Sequence, residues 1–129
     1  TNFFYDKSSG LIKFIYKNLN KNKKINLYEN VYFTPVHIST VFLAITRVIE
    51  NFDTGIYNLG CLDKISKYDF CSKIISLYNL NYKSNVKKIK YNDKFVKRPL
   101  NMSMSSLKFK KKFNFKISTI DSEISKINL

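Results

Sequence analysis

Apolar residues in this chain switch repeatedly between two spacings, and that switching constrains the fold more than any single motif does. The opening segment Asn2-Phe3-Phe4-Tyr5 reads as a strand, and Ser8-Ser9-Gly10 reads as a turn after it. Leu11, Ile12, Phe14, Ile15 and Leu19 then recur at helical spacing to about Asn22. Lysines from Lys21 to Lys24 mark the helix end, where cations are favourable. Ile25, Leu27 and Val31-Tyr32-Phe33 are extended, and Pro35 is expected to break that extension. Ile38, Val41, Phe42, Ala44, Ile45, Val48 and Ile49 predict an apolar helix ending near Glu50 or Asn51, buried over much of its length.

Beyond the turn at Asn51-Phe52-Asp53-Thr54-Gly55, the segment Gly55 to Gly60 is expected to form a short strand. Ser66 is a natural N-cap, with Asp69 three residues later as an acidic near-equivalent of a capping box. Phe70, Ile74, Ile75 and Tyr78 line the helix behind it, and Val86 to Tyr91 alternates as a strand does. Two helical candidates close the chain, at Ser105 to Phe113 and Ser118 to Leu129. The resulting order is an α/β alternation like the tail of a doubly wound sheet.

A chain of 129 residues, 44% of them hydrophobic, holds enough apolar surface for one core, so residues 1–129 are expected to form a single unit. No apolar run approaches the roughly 20 residues of a membrane span, and TNFFYDKSSG is no secretion signal. The expected compartment is the cytoplasm, where Cys61 and Cys71, set in apolar surroundings, would be buried free thiols. Thr1 is not a methionine, and the first strand is entered in mid-course; the chain is expected to be a piece of something longer.

A net charge of +14 raises nucleic acid as a partner, but nearly all of that charge is lysine. Arginine, the usual reader of phosphates and bases, occurs only at Arg47 and Arg98. The lysines are spread evenly and accompany heavy use of Asn and Ile, so nucleic acid is not the expected partner. One histidine and no Cys-x-x-Cys pair argue against a metal site.

Catalysis by this chain alone is also disfavoured. Its glycines are Gly10, Gly55 and Gly60, so no dinucleotide-binding Gly-x-Gly-x-x-Gly can be written. None of its nine tyrosines has a lysine four residues on, so no Tyr-x-x-x-Lys acid–base pair exists. His37 is the only candidate base for a hydrolytic triad, and nothing places a nucleophile beside it.

Thr1 to Tyr5, Phe33 to Ile38 running into Leu43-Ala44, Gly55 to Gly60, Ser66 to Phe70 and Arg98 to Ser103 stand in the order of a known family. Together they resemble the C-terminal half of extended short-chain dehydrogenase/reductases, in particular dTDP-4-dehydrorhamnose reductases and related nucleotide-sugar epimerases and dehydratases. The resemblance implies the C-terminal portion of a Rossmann-type subunit. An N-terminal half would hold NAD(P) and the catalytic pair, and this half would close over a nucleoside-diphosphate sugar; a homodimer is compatible with it. It further implies that Asn2 approaches the cofactor, that Phe3 lies against the sugar, that Thr34 and His37 lie near the substrate, and that Arg98 forks onto the diphosphate. Many epimerases carry an arginine near Phe33 and an acid near Ser39-Thr40; this chain has neither, which tilts the comparison toward the reductases.

Plainer readings stand beside these. Phe3 and Tyr5 fit a core, His37 fits a structural hydrogen-bonding group, and Arg98 fits a loop anchor. Lys108, Lys110, Lys111 and Lys112 fit a solvated helix face. The competing functions are a small basic nucleic-acid-binding protein and a non-catalytic scaffold subunit.

Overall fold

The computed structural model describes residues 2–6, 10–77, 85–92, 97 and 99–128. Its elements run β1 (Asn2–Phe4), α1 (Gly10–Leu19), β2 (Ile25–Tyr28), β3 (Tyr32–Phe33), β4 (Pro35–His37), α2 (Ile38–Glu50), β5 (Ile65–Ser66), α3 (Lys67–Leu77), β6 (Val86–Ile89), β7 (Asn101–Met102), α4 (Leu107–Phe113) and α5 (Ile120–Ile124). The α/β alternation is present.

The strands form short ladders rather than one sheet. β1 and β4 run parallel with Phe3 opposite Val36, and β2 and β6 run parallel with Ile25 opposite Val86. β3 stands between antiparallel β5 and parallel β7. Pro35 does not end the extended segment as its missing N–H suggested. It opens β4, so the chain leaves the β3 ladder at Thr34 and joins β1 one residue later, a position where proline is tolerated.

Local chemistry explains the helix ends. The Ser66 Oγ accepts the Asp69 N–H at 3.0 Å and donates to the Asp69 carboxylate at 2.6 Å, the reciprocal cap that the spacing predicts. α1 stops at Leu19, short of Asn22, which takes the left-handed conformation at φ 51°. Asn114 plays the same part after α4, whose last turn carries Lys110, Lys111 and Lys112 against the negative helix end. Among the described residues 118–128, the helix runs from Ile120 to Ile124, with the Thr119 side chain capping it.

Two buried clusters hold the elements together. The larger joins Phe4, Phe33, Val36, Phe70, Ile74, Phe109 and Phe113 with the isoleucines of the C-terminal segment, and the smaller joins Ile15, Leu19, Ile25, Leu27, Cys71 and Ile75. α1 and α3 contribute to both: α1 gives Ile12 to the larger and Ile15 and Leu19 to the smaller, and α3 turns Phe70 and Ile74 to the one and the adjacent Cys71 and Ile75 to the other. Phe70, fully buried, meets Phe4 and Phe33 edge-on at 5.1 and 5.4 Å between centroids.

Two sequence expectations fail. α2 is not buried over most of its length: Phe42, Leu43, Ile45 and Ile49 are exposed, and only Thr40 and Ala44 are buried. Its apolar pattern is wider than the surface that the described residues offer to cover it. Gly55 to Gly60 is not a strand, because its backbone has no ladder among the described residues. Gly60 is held by a side chain instead: its N–H donates to the Ser106 Oγ at 2.7 Å, and its carbonyl accepts from that hydroxyl at 2.8 Å. The ring of Tyr78 and the turn residues Ser8 and Ser9 lie outside the described residues.

Candidate functional site

β1 is the element that exposes chemistry. Strand alternation sends Phe4 into the core and leaves Phe3 60% exposed beside it. Asn2, Phe3 and Tyr5 line a cleft of about 390 Å³ that is closed below by Gly10, Phe33, Phe70 and Lys67. Asn2 and Phe3 therefore line the same cleft.

Lys67, which sequence reasoning missed, supplies that cleft with charge. It is the first residue of α3 and sits with its Nζ 3.3 Å from the centroid of the Phe33 ring. Burial pushes its ammonium down to about 8. The signal was present in the sequence: a cation directly after an N-cap opposes the helix dipole.

Thr34 lies elsewhere. It is buried, accepts the Met104 N–H on its Oγ1 at 3.0 Å, and lines a second pocket of about 420 Å³ with Cys61, Ser103, Ser105, Ser106 and Lys110. A larger open groove, about 720 Å³, runs between α3 and α5 and contains none of the expected site residues.

His37 caps α2. Its Nδ1 accepts the Ser39 N–H at 3.3 Å and lies 2.8 Å from the Ser39 Oγ, and its ring packs against Phe4 at 5.7 Å. Accepting at Nδ1 leaves the proton on Nε2. Burial lowers the imidazole pKa, as does Lys126, while Glu123 and Asp6 oppose that shift.

Behind His37 stands the other residue that the sequence reading missed. Glu123 is fully buried, accepts the His37 N–H, accepts the Thr40 hydroxyl at 2.8 Å, and pairs with the Lys126 ammonium at 2.7 Å. A carboxylate of α5 thus stands at the N-terminus of α2, where a negative charge is favoured. Its signal was a carboxylate on the apolar face formed by Ile120, Ile124 and Ile127.

Arg98 lies outside the described residues. Both cysteines are buried free thiols, and burial pushes each up to about 12.

A family model described as the RmlD substrate binding domain matches residues 1–128. The chain belongs to that family. Comparison with the curated proteins finds no match. Among solved structures, a hypothetical dTDP-4-dehydrorhamnose reductase from Sulfolobus tokodaii is 22% identical, with a TM-score of 0.75 over 99% of this chain and 44% of that one. The dTDP-4-dehydrorhamnose reductase of Bacillus anthracis in complex with NADP is 16% identical, with a TM-score of 0.81 over 95% of this chain and 43% of that one. The dTDP-glucose 4,6-dehydratase of the same organism, in complex with NAD, is 17% identical, with a TM-score of 0.72 over 95% and 39%. The chain therefore spans less than half the length of these structures, and its fold is that of their C-terminal, substrate-side part.

In this RmlD-family chain α1 opens on Gly10, which takes a positive φ of 58°. Among the described residues there is no group of three or more metal-ligating side chains, and no helix is long and apolar enough to cross a membrane.

Proposed function

We propose that this chain is the substrate-side part of an NAD(P)-dependent nucleotide-sugar reductase, and that it binds a nucleoside-diphosphate sugar over β1. The observation that carries the reading is Phe3, a large ring left in water on a strand whose next residue is buried, forming one wall of a polar-ended cleft. In this reading Phe3 lies against the sugar and Asn2 reaches the cofactor side. Arg98 takes the diphosphate, for which a guanidinium fork is chemically suited. Thr34 and His37 support the substrate segment from behind, through Met104 and the α2 N-terminus.

Hydride transfer belongs in this proposal to a further part of the same polypeptide, which brings the NAD(P) site and the acid–base pair. The exposed apolar residues of α2 and the turn after it, Phe42, Ile45, Ile49 and Phe52, suit burial against that part. The unit works in the cytoplasm, where its thiols stay reduced. By itself it binds substrate and turns nothing over.

The test is calorimetric titration of the chain with thymidine diphosphate and a thymidine-diphosphate sugar, alongside Phe3→Ala. Removing a stacked ring should weaken binding about tenfold, the equivalent of ~1.4 kcal/mol. Absence of binding at millimolar ligand refutes the reading. Salt-sensitive binding of single-stranded DNA in its place moves the function to nucleic acid.

A further inference from the structure

The cleft over β1 contains a cation without an anion. Surface lysines place the ammonium in water, and buried ones pair with carboxylates. Lys67 does neither: its Nζ rests on the Phe33 ring, and no ion pair among the described residues includes it. It also stands at the first position of α3, against the positive end of the helix dipole. Desolvation is the sole cause of its lowered pKa, about 8. Apart from the face of the Phe33 ring, no partner among the described residues stabilises the charge, and the cleft that holds it is lined by Phe3 and Asn2 as well.

We propose that Lys67 is an anion-binding residue of this cleft, taking a phosphate oxygen of a nucleoside-diphosphate sugar whose sugar ring rests on Phe3. The inference rests on the reading of the cleft as the nucleotide-sugar face and adds to it a residue and a pH dependence. A phosphate meets an ammonium that is poorly hydrated and already positioned, so little is lost in stripping water from it. Binding holds the lysine protonated, and affinity falls as the free lysine loses its proton. Among the neighbouring ionisable groups, Tyr5 shares the cleft lining. Asp69 on α3 is bonded to Ser66, Asp6 lies toward His37, and Lys64 lies over Tyr32 on β3. Tyr68 on α3 is covered by Lys88.

Calorimetric titration of thymidine diphosphate into the chain, Lys67→Met and Lys67→Arg, from about pH 7 to 9, tests the assignment. Methionine keeps the stem over Phe33 without the charge, and thermal unfolding of each variant establishes that it is folded. Lys67→Met should weaken binding at pH 7 about tenfold or more, and thymidine alone should bind both proteins equally. The wild type should lose about tenfold in affinity by pH 9, while Lys67→Arg, whose guanidinium stays charged, should hold its affinity. Equal affinity of wild type and Lys67→Met overturns the inference and leaves the substrate reading standing, as does an identical pH profile in Lys67→Arg. A wild type that binds no thymidine diphosphate at any pH overturns both.

Discussion

Replacing Glu123 should destabilise the fold more than any surface change of similar size, because three donors converge on one buried carboxylate. Glu123→Ala strands the buried His37 N–H, removes the acceptor of the buried Thr40 hydroxyl, and leaves Lys126 with the Thr40 Oγ1 in place of its carboxylate. An unsatisfied buried donor costs about 1–3 kcal/mol, and breaking a buried ion pair about 3–5 kcal/mol. The Lys126 side chain is 30% exposed and can turn to water, which removes much of the second cost. The expected net loss is about 3 kcal/mol, or roughly 10 °C in Tm for a chain of this size. Glu123→Gln keeps the shape but turns one acceptor oxygen into a donor among donors, and should lose about 1–2 kcal/mol. Urea unfolding followed by far-ultraviolet circular dichroism measures both. A double-mutant cycle with Lys126→Met should return a coupling of about 1 kcal/mol. A Glu123→Ala protein within about 1 kcal/mol of wild type would refute the convergence argument.

Three further outcomes follow from the same contacts. Gly60→Ala should cost about 2–3 kcal/mol, since an added Cβ would meet the Thr34 Oγ1 and Thr34 backbone oxygen far inside contact distance, with Ser106 holding Gly60 from the other side; denaturant midpoints report it. Cys61 and Cys71, both held as thiols by burial, should react with a thiol-directed reagent only at the rate of unfolding, so labelling in native buffer within seconds counts against their placement. His37, with its folded pKa below the ordinary 6.5, binds fewer protons when folded than when unfolded. Stability from this group is therefore complete above about pH 6.5 and is lost as pH falls toward the folded value; a histidine-free variant, His37→Asn, should lack that component in midpoints measured against pH.

Much of this architecture was legible from residue spacing. The alternation of helix and strand periods specified the class, and the Ser66–Asp69 cap was visible at three-residue separation because both partners belong to one helix turn. Neither a glycine-rich turn nor a Tyr-x-x-x-Lys pair can be written in the 129 residues, which is a matter of composition and order alone. Phe3 and Asn2 could be placed together because they are neighbours on one strand.

What the sequence could not determine depends on contacts between distant segments. Periodicity says which face of α2 is apolar, but only packing shows that Phe42, with 71% of its surface exposed, has no cover within the described chain. The GIYNLG segment has strand composition, and the lack of a ladder partner among the described residues decides otherwise. Glu123 completes the start of α2 from a position 86 residues away from His37, and Lys67 becomes a desolvated cation only because Phe33 and β1 close around it. Local spacing is set by the geometry of one helix or strand and can be read along the chain; burial, charge pairing and pKa depend on which elements meet, and only the tertiary fold decides that.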